Sequence, residues 1–273
     1  MPDLSSSVPI SDAAGRAQAA IARASAATGV DFSYLLAEAK LESGLDPQAK
    51  ATASSATGLY QFVSSTWLDT VERHGAEHGL DWAQAAITRS GGRATVSDPA
   101  ARAQIMALRS DPETSALMAA ELARDNAGDL TAFLGRAPGN DELYLAHFLG
   151  SAGAQTFLGA LYRDPTASAA VLLPSAAVAN PEIFRDGTRD RSLGEVMNLL
   201  HTRLAGAMEQ GEPPTPAPQY AFSPPPPVTP PPAAQTPSMA ETLRGTFGSG
   251  DGIGARATQR IASAYDRFRT FGL

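Results

Sequence analysis

The stretch ESGLDPQAKATASSATGLYQF, residues 42–62, sets one glutamate ahead of a run of small and hydroxylated residues that ends in an aromatic pair flanking a glutamine. Upstream lies FSYLLAEAKLES, with Asp31 placed as an N-cap and Gly44 as a terminator; this predicts a helix over 32–43. On that helix Glu42 follows Leu35 by two turns and Ala39 by nearly one, so it falls on or beside the apolar stripe. A carboxyl there is desolvated, which raises its pKa and suits it to general acid chemistry near neutral pH. The plainer alternative is a helix-end glutamate bonded to neighbouring amides. Glu38, one turn earlier, reads as a solvated charge.

Working outward, the same periodicity continues. Ala14, Ala17, Ile21 and Ala24 share a face before Gly29. Ser64 or Ser65 is placed to cap TWLDTVERH, and residues 88–99 read as loop. Further helices are expected over 112–126, 142–150, 154–162 and 192–208. Strand alternation is absent apart from a short hairpin conceivable in 48–63. The expected class is mainly α, with a globular domain over 11–210 after a flexible N-terminus, 1–10.

Composition then breaks. Twelve of the 26 residues from Glu212 to Pro237 are proline, a density that forbids helix and sheet ladders and predicts an extended linker over 211–250. In the tail, 251–273, Ile253, Ala257, Ile261, Ala264, Tyr265, Phe268 and Phe271 line one helical face and four arginines the remainder. This predicts an amphipathic helix that docks on a protein partner; packing back on the domain and membrane-surface binding are the alternatives. The net charge of −7 argues against a general nucleic-acid binder. The absence of cysteine excludes disulfides, thiolate metal sites and cysteine nucleophiles. No run is long enough to span a bilayer, and the first residues lack the basic and apolar regions of a signal peptide.

Residues 42–62 resemble the catalytic core of the soluble lytic transglycosylases (SLT), lysozyme-like enzymes that cleave peptidoglycan glycan strands. That family carries Glu-Ser, an apolar residue, Asn/Asp-Pro, and a small-residue turn into Gly-Leu-Met-Gln. Here Glu42, Ser43, Leu45, Asp46, Pro47 and then Ala56-Thr57-Gly58-Leu59-Tyr60-Gln61 match, with a slightly longer loop and Tyr60 in place of methionine. DPETSALMAAELA (111–123) and LAHFLGSAGA (145–154) are similar to two later blocks of the family. In the second of these, Phe148 and Leu149 stand where the family has tyrosine and asparagine, so Tyr144 or His147 is left to replace the usual active-site hydroxyl.

The resemblance implies a lysozyme-like helical domain with Glu42 catalytic. One glutamate protonates the glycosidic oxygen, then accepts the proton of the sugar's C6 hydroxyl, giving a 1,6-anhydro product; a second carboxylate is not required. Ser43, Thr57, Gly58, Tyr60, Gln61, Phe62, Tyr144 and His147 are the expected substrate-binding residues, although core packing is as natural a role for Phe62. No cofactor and no metal are implied. The expected partners are peptidoglycan glycan strands and a protein met by the tail, such as a flagellar or secretion component, with the chain a monomer in the periplasm or cell envelope. A hydrolysing muramidase and a non-catalytic assembly scaffold are the alternative functions. HGAEH (74–78) spells the His-x-x-Glu-His of zinc peptidases, but Gly75 and Gly79 undermine the helix that pattern needs, so it reads as a solvated helix end.

Overall fold

The computed structural model describes residues 9–52 and 54–209. The linker, docking helix and most of the N-terminal segment anticipated above lie outside them. Among the described residues, twelve α-helices make up nearly all the regular structure: α1 (Pro9–Thr28), α2 (Phe32–Ser43), α3 (Ser64–His74), α4 (Asp81–Ala86), α5 (Pro99–Ala107), α6 (Pro112–Leu134), α7 (Asn140–Leu149), α8 (Ser151–Leu161), the short α9 (Ala169–Leu172), α10 (Pro174–Ala179) and α11 (Pro181–Phe184), and α12 (Leu193–Glu209). No helix among the described residues is long and apolar enough to cross a membrane.

Helix α2 is built as its sequence indicates. Asp31 accepts a hydrogen bond from the Tyr34 N–H at 2.8 Å, and Gly44, at φ +62°, turns the chain out of the helix. Its residues Tyr34 to Ala39 are buried, because α12 packs across it while α1 and α6 lie on other sides. Helix α1 packs along α6, presenting Ala17, Ala20, Ile21 and Ala24. Small residues there let the two backbones approach closely. Trp67 of α3 is fully buried, and its indole N–H donates to the Ile105 carbonyl at 2.8 Å.

Helix α7 carries half of the site described below, and its start is fixed from outside. Glu142 accepts from the Gly139 N–H at 2.8 Å and from Arg136 through both carboxylate oxygens at 2.7 Å. Those bonds, led by the Arg136 guanidinium, hold the Glu142 carboxyl down at about 2.

Several expectations change. Residues 88–99 are not all loop: Thr88–Ser90 (β1) and Arg93–Thr95 (β2) form an antiparallel hairpin. Gly91 and Gly92 supply its turn, at φ +57° and +80°, the positive pair a tight hairpin requires. A second hairpin joins Arg185–Asp186 (β3) to Arg189–Asp190 (β4). The region 48–63 makes only the isolated bridges Lys50 to Thr57 and Thr57 to Phe62. The residue that caps α3 is Val63, without a side-chain bond, rather than Ser64 or Ser65. Helix α6 runs two turns beyond residue 126, to its stop at Gly135.

Candidate active site

Helix α2 presents Glu38 and Glu42 one turn apart, and α7 presents Tyr144 and His147 one turn apart. The four side chains meet. The Tyr144 hydroxyl donates to Glu42 Oε1 at 3.3 Å, and His147 Nε2 lies 3.4 Å from the same oxygen. His147 Nδ1 sits 2.6 Å from Glu38 Oε1. The Tyr144 and His147 rings run nearly parallel, 6° apart in plane, with centroids 6.1 Å apart. The side chain of Glu42 is 23% exposed and that of Glu38 only 2%. The site therefore offers solvent one carboxylate and keeps the other inside.

Glu38 is thus not the solvated charge its position suggested. It lies among Tyr34, Tyr60 and His147, and its charge helps raise the pKa of each. Burial opposes a proton on His147, but Glu38 and then Glu42 outweigh it and lift the imidazole well above its usual value. Burial and the neighbouring Glu42 and Glu38 push Tyr144 far up as well, so the phenol stays a donor. Two donors then converge on Glu42 Oε1.

The His147–Glu38 pair has a testable pH signature. A folded pKa raised above the unfolded value of about 6.5 contributes stability that is complete below that pH and is lost as pH rises through the raised value. Glu38→Gln removes it. The variant should be destabilised most on the acid side of about pH 6.5, with the deficit shrinking in alkali. The loss should stay below the roughly 3–5 kcal/mol of a broken buried pair, because the imidazole can shed its proton. Urea unfolding of both proteins across pH, with the His147 ring followed by NMR, checks this; a deficit independent of pH counts against it.

The other expected site residues divide. The Ser43 hydroxyl is engaged by the Leu59 carbonyl at 2.8 Å and the Ala39 carbonyl at 3.1 Å, stitching the end of α2 to the following loop rather than facing a ligand. Gly58 is buried at φ +85°. Gln61, at φ +47°, donates its side-chain amide to the Gly58 carbonyl at 2.9 Å and the Ala49 carbonyl at 3.3 Å. The Thr57 hydroxyl turns to the Ser55 carbonyl at 3.4 Å. Tyr60 does not line an open surface: it is fully buried, its hydroxyl donating to the Leu35 carbonyl at 3.1 Å. Phe62 is likewise core, edge-on to Trp67 with ring centroids 5.1 Å apart. Asp46 is an exposed turn residue whose carboxylate accepts from the Gln48 N–H.

Arg109 is a contributor that sequence reasoning passed over. Its guanidinium is 9% exposed as a residue and binds carbonyls, with Nη1 on Ser55 at 2.6 Å and on Phe62 at 3.0 Å, and Nε on Met106 at 3.1 Å. Burial, then Arg102, lowers its pKa. It staples the loop of residues 55–62 to the turn between α5 and α6. No local pattern around position 109 announces this, since both targets are backbone atoms about fifty residues away.

The site thus sets a partly exposed glutamate at the end of α2 against a phenol and an imidazole from α7. Residues 19–86 match the family model described as Transglycosylase SLT domain. The match includes Glu42, the loop after it and α3, while α7 with Tyr144 and His147 lies beyond it. An SLT domain implies lytic transglycosylase activity on peptidoglycan.

Proposed function

We propose that this chain is a lytic transglycosylase that cuts the β-1,4 bond between N-acetylmuramic acid and N-acetylglucosamine, with Glu42 as both acid and base. The observation that carries the reading is the position of Glu42. It lies inside the matched segment, partly open to solvent, with the Tyr144 hydroxyl and His147 Nε2 on one oxygen.

In the first step Glu42 gives its proton to the glycosidic oxygen as the bond from muramic acid C1 to that oxygen breaks. Tyr144 and His147 then hold the carboxylate left behind. In the second step that carboxylate takes the proton of the C6 hydroxyl while O6 bonds to C1. The proton returns to Glu42, and no water is consumed. Glu38, sealed against His147, does not serve as a second free carboxylate of the kind hydrolysing glycosidases place across the bond.

The substrate puts the protein's work in the cell envelope. Local wall opening for an envelope-spanning machine, reached through residues 251–273, is the biological setting we favour. The proline-rich composition ahead of that tail supports it.

The test is digestion of purified peptidoglycan by the full chain, with products resolved by mass spectrometry. Anhydromuropeptides are the expected result. Reducing-end products would replace this reading with a hydrolysing muramidase, and intact glycan with folded protein would replace it with a scaffold.

A further inference from the structure

The His-x-x-Glu-His stretch has a second life in the fold. Helix α3 ends at His74, and Gly75–His78 form a 3-10 turn, so the two imidazoles do not sit on one helical face as a zinc peptidase requires. Neither is a solvated helix end. Both side chains are mostly buried, at 16% and 13% exposed, and both turn toward Glu121 of α6, whose carboxylate is 1% exposed. We propose that His74, Glu77 and Glu121 form a binding site for a divalent transition-metal ion of the zinc type, which clips the end of α3 to the middle of α6.

Three observations carry this. First, His74 Nδ1 is buried without a hydrogen-bond partner among the described residues. What it faces are two carboxylates, Glu77 Oε1 at 3.6 Å and Glu121 Oε2 at 3.7 Å. These distances are long for N–H···O bonds. They approach the roughly 3.3 Å that separates two ligands of one tetrahedral ion with bonds of about 2.0–2.1 Å. Second, the ligand atoms of all three residues lie within 4.8 Å of one another. Third, the surrounding shell is of the kind metal-bound histidines have. His74 Nε2 lies 3.0 Å from Asp125 Oδ2. A proton donated there fixes the tautomer whose Nδ1 lone pair points at the two carboxylates. His78 Nε2, 2.9 Å from Glu121 Oε1, orients the buried carboxylate in the same way.

An imidazole lone pair aimed at two carboxylates asks for a cation between them. One nitrogen and two carboxylate oxygens leave a fourth position for water and suit zinc better than calcium or magnesium. The existing competitor is Arg124, half exposed, whose guanidinium reaches both Glu121 oxygens at 3.0 and 2.8 Å. Metal entry needs that side chain to swing out.

The test uses the tag-free full chain, stripped with chelator and titrated with zinc chloride in a calorimeter. One ion per chain should bind, and the unfolding midpoint should rise with zinc. Asp125→Asn should weaken binding about 10–100-fold. His74→Gln and Glu77→Gln should weaken it more. Glu77 is well exposed, so its replacement leaves folding intact and keeps the test independent of stability. Arg124→Met should tighten binding by removing the competitor. His147→Gln should leave zinc affinity unchanged, which excludes the Glu38–His147–Glu42 cluster as the binder. Absence of saturable binding, binding indifferent to His74→Gln and Glu77→Gln, or binding lost in His147→Gln would each overturn the proposal.

Discussion

Glu42→Gln should lower the rate of glycan cleavage about 10²–10⁴-fold, the usual contribution of a positioned acid–base group, while leaving the fold intact. The amide is nearly isosteric and keeps a carbonyl oxygen for the Tyr144 hydroxyl, so the contacts across α2 and α7 survive. What it loses is the proton. A single group is asked both to donate to the leaving oxygen and to accept from the C6 hydroxyl, so the substitution strikes both steps at once. The Glu42 charge also helps hold the His147 proton, so the amide should cost some stability as well, about 1 kcal/mol. Initial rates on purified peptidoglycan, with urea unfolding alongside, read the two quantities separately. A variant that retains a tenth or more of the wild-type rate would move the acid elsewhere, and Glu38 would be the next residue to test.

The contrast between the two glutamates also shows what was legible in the sequence. Helix α2 could be drawn to the residue because its signals are local: Asp31 at one end, Gly44 at the other, and an apolar stripe between them. Glu42 stands out through the resemblance of residues 42–61 to the SLT motif, its place on that stripe alone leaving a helix-end role open. The same stripe should have spoken for Glu38, which lies one turn before Glu42 on the same face. Its burial depends on His147, more than a hundred residues away, and no local periodicity reports a partner at that separation. Tyr60 fails for a related reason. Its place in the Gly-Leu-Tyr-Gln segment suggested a ligand contact, whereas the tight turn that follows Gly58 drives the ring inward onto α2. The hairpin of β1 and β2 was missed although Gly91-Gly92 is a turn signal, because its strands are three residues each and mostly exposed, too short and polar to alternate. Local sequence makes His74 and His78 read as solvated, because what covers them, Glu121 and Asp125, comes from α6.

Gly58→Ala should be among the most destabilising substitutions available in the matched segment, at about 2–5 kcal/mol. Two costs add. At φ +85° any β-carbon is strained, and one built at Gly58 falls 1.9 Å from the Arg109 carbonyl oxygen and 2.8 Å from its carbonyl carbon. Neither atom belongs to a side chain that can rotate away; the turn between α5 and α6 has to move. Gly44→Ala is the control. Gly44 also has positive φ, +62°, but nothing lies within 4 Å of its added carbon, so only the conformational cost of about 1–2 kcal/mol applies. Urea unfolding of both variants separates close approach from backbone strain; equal losses would mean the contact with Arg109 carries no weight. The loss at Gly58 should also reach catalysis. The backbone that Arg109 staples at Ser55 and Phe62 includes Leu59, whose carbonyl receives the Ser43 hydroxyl beside Glu42. If the loop lifts from Arg109, that bond to the end of α2 loosens, and the carboxylate loses the fixed position that the Tyr144 and His147 donors require. Activity should therefore fall in Gly58→Ala even at temperatures where the variant remains folded, whereas Gly44→Ala, whose loop keeps its seat on Arg109, should lose less.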